Sequence, residues 1–154
     1  MLSWLAKRIL THNMKAISAG DYRPQLRLCA KDVRFRFPGD SSWGGEYHGK
    51  AELERWLVRF VDAGLQISPD EVVAKGPPWN ATVCVRGTDH LTSPQGEVVY
   101  ANRYVIWGHM RWGLMREYEV YEDTQQTGPL DDYLTGRDRD RGRVSPASGV
   151  DASS

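Results

Sequence analysis

The stretch after Gly64 constrains this chain most. From Gln66 to Thr124 the sequence reads as strand-length segments at Ile67–Lys75, Ala81–Leu91, Val98–His109 and Leu114–Thr124. Turns fall at Gly76-Pro77-Pro78 and around Ser93-Pro94-Gln95-Gly96. Strands that follow one another through short turns pair as neighbours, so these four predict one antiparallel sheet. Such a sheet needs a cover for its apolar face, and the segment just before it supplies one. Across Lys50–Ala63, Leu53, Trp56, Leu57, Phe60 and Val61 recur at helical spacing, while Glu52, Glu54, Arg55, Arg59 and Asp62 take the other side. Gly64 closes that helix.

Further upstream, Leu2–Gly20 predicts an amphipathic helix with Leu5, Ile9, Met14 and Ile17 on one face. Pro24 opens a short helix containing Leu26, Leu28 and Cys29. Val33-Arg34-Phe35-Arg36-Phe37 alternates apolar with basic residues, as a strand with one buried face does, and Pro38-Gly39 ends it. Helices, a strand, a helix and then a run of strands give an α+β class, a curved antiparallel sheet wrapped around N-terminal helices. The 154 residues suit one domain, assigned to residues 1–136. Residues 137–154 carry no aromatic side chain and alternate Arg with Asp before turning to Ser, Pro, Ala and Gly. They are expected to form a disordered tail.

Charge narrows the partners. Lys plus Arg and Asp plus Glu both number 20, so no basic excess is available to neutralise a phosphate backbone. No nucleic-acid partner is expected. No segment is apolar and long enough to span a bilayer, and Met1–Leu10 is interrupted by Lys7 and Arg8 without a small-residue cleavage site after it. The expectation is a cytoplasmic protein with no membrane partner. Cys29 and Cys84 lie far apart, which predicts two reduced thiols. The four histidines show no ligand spacing, so neither a metal nor a cofactor is expected.

Strand parity selects the candidate site. Asp89 shares a face with Val83, Val85, Gly87 and Leu91. An acid on an apolar face is desolvated and its pKa rises, which suits a proton-abstracting base. The bland alternative ends the strand near Gly87 and leaves Asp89 in solvent or against an arginine. On the next strand, Tyr100, Asn102 and Tyr104 share a face with Val98 and Ile106. Asn102 and the two tyrosines could aim hydrogen bonds at a ligand, with Asn102 and Tyr104 read as substrate-binding, against ordinary cross-strand packing. On the last strand, Tyr118 lies with Val120 and Leu114, a potential donor to a developing oxyanion. Trp43, in the Gly-rich segment before the long helix, is read either as an apolar wall for a substrate or as a buried loop anchor. Trp56, Trp107 and Trp112 are read as core or interface residues.

Four segments in order carry a resemblance to a known family. They are Asp32-Val33-Arg34-Phe35-Arg36-Phe37-Pro38-Gly39, Trp43-Gly44-Gly45-Glu46-Tyr47-His48-Gly49-Lys50, Gly96 through Asn102-Arg103-Tyr104-Val105, and Tyr121-Glu122-Asp123-Thr124. Together they resemble the SnoaL-like branch of the nuclear transport factor two-like, ketosteroid-isomerase-like superfamily. The resemblance implies a cone with an apolar cavity and a homodimer formed through the outer face of the sheet. It also implies a departure. Where isomerase and epoxide hydrolase relatives carry a catalytic acid on the closing strand, this chain has Val120, and where the hydrolases have Arg-x-Asp it has Gly87-Thr88-Asp89. Two functions follow as expectations. One is an isomerase- or cyclase-type enzyme acting on a carbonyl-bearing, polyketide- or steroid-like molecule, with Asp89 as base and Tyr118, Tyr104 and Asn102 as donors. The other is a non-catalytic domain that binds a small apolar ligand or dimerises.

Overall fold

A computed structural model of the chain describes residues 2–143. Helices α1 (Leu2–Ser18) and α2 (Arg23–Leu28) precede strand β1 (Cys29–Phe37), short strand β2 (Gly45–His48) and helix α3 (Gly49–Ala63). Then come β3 (Gln66–Lys75), β4 (Ala81–Thr92), β5 (Val98–Arg111), β6 (Leu114–Glu122) and helix α4 (Thr127–Arg143). The α+β class is as expected. The sheet, however, is mixed rather than wholly antiparallel.

Its order is β2-β1-β6-β5-β4-β3, and β1 runs parallel to β6. The β3–β6 meander has the antiparallel pairing that its short turns demand. A long connection through β2 and α3 separates β1 from that meander, so no hairpin dictates its direction, and it joins the free edge of β6. The unanticipated β2 pairs antiparallel with β1 and extends that edge. Register shifts at Pro69–Glu71, Leu91–Thr92 and His109–Met110 interrupt the ladders. Bulges of this kind bend strands and let a sheet curve around its cover.

The helices cover one face. Leu53, Trp56, Leu57 and Phe60 of α3 are buried, and they meet Val33, Phe35 and Phe37 in one core. At the start of α3 the Glu52 carboxylate accepts the His48 backbone N–H at 2.6 Å, which satisfies a donor that the first turn leaves free. At its end Gly64 takes φ 86°, a left-handed stop that a side chain would resist. Helix α1 packs on β3 through Leu10, Met14 and Ile17. Leu5 and Ile9, expected on that buried face, remain partly exposed. The true inward stripe of α1 is rotated from the expected one.

Helix α4 falls where no element was expected, and it carries ordered structure past residue 137. Leu130 and Leu134 anchor it in the core. The Arg137 guanidinium donates to the Ala63 carbonyl at 2.7 Å, occupying an acceptor at the end of α3. Those contacts hold residues 137–143 in a helix that composition alone argued against. Residues 144–154 of the expected tail lie outside the described residues.

Candidate functional site

The concave side of the sheet and the helices enclose a cavity of about 80 Å³. Aromatic side chains of Phe35, Phe37, Trp56 and Phe60 narrow it to a slot. Its carboxyl groups gather at one end. Asp89, Tyr100 and Glu122 come from β4, β5 and β6 and all line the cavity.

Alternation along β4 turns Asp89 inward with Val83, Val85 and Leu91, and it is 6% exposed. Its Oδ1 is buried with no hydrogen-bond partner. Desolvation pushes its pKa up to about 6, partly opposed by hydrogen bonding from its own backbone and from Tyr100. A carboxylate held this way is a stronger base than one in water. Glu122 is pushed further, to about 8, by burial and by the charge of Asp89. Two acids this close do not ionise independently, and they titrate as a pair. Between its two steps the pair holds one proton and one negative charge.

Tyr100 stands between them. Its hydroxyl donates to Glu122 Oε1 at 3.4 Å and accepts from Asn102 Nδ2 at 3.1 Å. A phenol has one proton, so it serves one carboxyl at a time. Burial and the two acids raise the Tyr100 pKa, keeping the hydroxyl neutral and a donor.

The other expected residues divide. Asn102 sits directly across from Asp89 in the β4–β5 register. Its second amide hydrogen bond goes to the Asp123 carbonyl at 3.0 Å, and its Oδ1 accepts the Arg103 N–H at 2.9 Å. With both donors engaged, Asn102 orients Tyr100 rather than facing a ligand, and it does not line the cavity. Tyr104 does line it, with its hydroxyl 3.5 Å from Met14 Sδ. Burial and the Asp89 charge raise its pKa.

Tyr118 lines the cavity as well, but at the far end. It is opposite Gly108, which pairs with Val83, six residues along β4 from Asp89. At about 3.3 Å per residue that is roughly 20 Å. No interaction joins Tyr118 to Asp89, whose hydrogen-bonding neighbours are its own backbone and Tyr100. Trp43 is both things it was read as, a wall of the cavity and a buried anchor. Its carbonyl accepts from Trp56 Nε1 and the Tyr47 hydroxyl, and the Arg59 guanidinium lies 4.0 Å from its ring centroid.

Sequence reasoning missed Glu122 as a site residue and placed Tyr100 only as one of two tyrosines able to reach a ligand. Tyr100 shares the strand face of Asn102, and parity alone does not rank the two. Glu122 follows Tyr118 and Val120 at the same parity, so counting two residues further finds it. A closing-strand acid is thus present, two positions beyond Val120.

Residues 10–118 match the SnoaL-like domain. The chain belongs to that family. Among solved structures, this SnoaL-like chain is similar to an NTF2-like protein of unknown function from Burkholderia pseudomallei, at 24% identity and TM-score 0.67 over 81% of this chain and 95% of that one. TerC, crystallised with polyporic acid, is 25% identical with TM-score 0.67, over 82% of this chain and 97% of that one. A putative polyketide cyclase from Sinorhizobium meliloti is 19% identical with TM-score 0.55, over 74% of this chain and 94% of that one. No curated protein matches the sequence.

Proposed function

We propose that this SnoaL-like protein moves a proton on a small, largely apolar carbonyl compound, as an isomerase or cyclase does, with Asp89 as the base. The observation that carries this reading is the unpartnered, buried Asp89 Oδ1 beside a phenol and a second carboxyl in an apolar slot. A buried carboxylate oxygen without a partner costs stability, and a substrate C–H or O–H would satisfy it. Asp89 takes the proton from the carbon next to the carbonyl. The Tyr100 hydroxyl turns its one proton from Glu122 Oε1 to the enolate oxygen, and the proton held by the acid pair is donated there from Glu122. Transfer of charge onto an oxygen in a dry site is where such donors act most strongly. Ketosteroid isomerase divides the work in the same way, between a charged carboxylate that abstracts and a neutral acid that donates.

The slot limits the substrate. About 80 Å³ suits a compact or flat molecule, and a larger one enters only if the aromatic walls move. Crystals of TerC with polyporic acid support a small-molecule ligand for the fold. The same reading has two copies pairing through the outer face of the sheet, where Trp107 is 56% exposed.

Asp89→Asn decides between catalysis and binding alone. With small enolisable ketones as probes, proton exchange at the α-carbon followed by NMR should fall by about 10²-fold or more in the variant. Exchange that is equal in both proteins sinks the base assignment. Ligands that raise the melting temperature without any exchange favour the binding domain.

A further inference from the structure

At the end of the molecule away from Asp89, α1 meets the β3–β4 and β5–β6 turns around a second apolar groove of about 310 Å³. Leu5 and Ile9 of α1 form one wall and Trp79 and Trp112 the other. Trp79 is 53% exposed and Trp112 is 73% exposed, with ring centroids 6.4 Å apart. Trp4, one residue before Leu5, is 62% exposed. Trp79 and Trp112 together leave a contiguous apolar patch uncovered, and Trp4 stands on the neighbouring face of α1 beside Lys7 and Arg8.

The backbone adds an independent sign. Trp112 and Gly113 form the two-residue turn between Arg111 and Leu114, with φ of 53° and 78°. Such turns favour Asn-Gly, because the first position also needs a left-handed backbone. A tryptophan there is unfavourable for the backbone, and most of its ring is left to solvent.

Charge selects the partner. Residues 2–11, 75–81 and 110–116, which build this end, contain no Asp or Glu. They contain Lys7, Arg8, Lys75, Arg111 and Arg116, on a chain whose total charge is zero. Only Arg116 takes part in an ion pair among the described residues, with Asp32. A second copy of the same surface would meet it with like charge. No helix among the described residues is long and apolar enough to cross a membrane, so contact would be interfacial. We infer that this end is a docking surface for an anionic phospholipid surface, with Trp4, Trp79 and Trp112 seated among the headgroups and the free cations facing lipid phosphate. Tryptophan prefers that layer because its ring is apolar and its N–H polar, and nearby basic side chains add attraction to anionic leaflets.

The test is co-sedimentation of the full chain with vesicles of phosphatidylcholine alone or mixed with phosphatidylglycerol, alongside tryptophan emission. Binding to the mixed vesicles, a blue shift, and weakening as salt rises are expected. Replacing both Lys7 and Arg8 with Ala should weaken the partition about thirtyfold. Trp112→Asn suits the turn better, so its melting temperature should hold or rise while vesicle binding drops. Equal partition to neutral and mixed vesicles, or none to either, overturns the inference. So does a Trp112→Asn effect on self-association or on capture of an acidic peptide with no effect on vesicles.

Discussion

Asp89 owes its character to a side chain that parity turns inward and that no donor fully satisfies. Its pKa in the folded chain, about 6, lies above the ordinary 3.8 because burial disfavours the charge. The folded state therefore binds this proton more tightly than the unfolded one. Stability from that preference is complete below about pH 4 and is lost as the pH rises through about 6. Asp89→Asn removes the buried charge, so denaturation near pH 7 should show a gain of about 2 kcal/mol that shrinks toward pH 4. A variant that is both inactive and more stable is the expected mark of a site that keeps a strained charge for chemistry. The acid pair also sets a pH profile. Activity should rise as the pair loses its first proton, near 6, and fall as it loses its second, near 8. Glu122→Gln should abolish the alkaline limb and leave the acid limb, as read from kcat/KM against pH. Asp89 was legible from alternation alone. Glu122 was equally available by counting, but Tyr100 as the residue joining the acids was not, because hydrogen-bond partners across three strands are not written in any one of them.

Among the elements, β4 and β5 hold the site in shape through a close contact at Gly87. A Cβ there would lie 2.2 Å from the Ser68 carbonyl oxygen and 2.4 Å from the Tyr104 hydroxyl. Gly87→Ala must push backbone apart or expel the tyrosine from the cavity. Overpacking of this kind costs about 1–3 kcal/mol, so the melting temperature should fall by about 3–10 °C. Helix α3 was readable because its apolar spacing and its glycine stop agree. Helix α4 was not, because its stretch is strongly polar and only Leu130 and Leu134 enter the core. Its hold is tertiary. The Asp131 carboxylate accepts the Ser42 N–H at 2.8 Å and its hydroxyl at 2.7 Å, tying α4 to the loop that carries Trp43.

For the whole molecule, pairing through the outer sheet face makes a prediction of its own. Trp107→Glu would put a charge in the proposed interface, and sedimentation should shift from dimer toward monomer with no change in the Asp89 site. A monomeric parent protein would end that proposal. What the sequence determined was local: the strands from their alternation and turns, α3 from its period, the inward acid from its parity, and the family from four short segments in order. Each is set by interactions among residues close along the chain. The tertiary structure alone decided that β1 lies parallel to β6, that α4 continues past residue 137, and that Tyr118 stands far from Asp89 while Glu122 stands near it. Those outcomes depend on which distant surfaces meet once the sheet bends, and apolar burial, being non-directional, writes no partner into the pattern of a single segment.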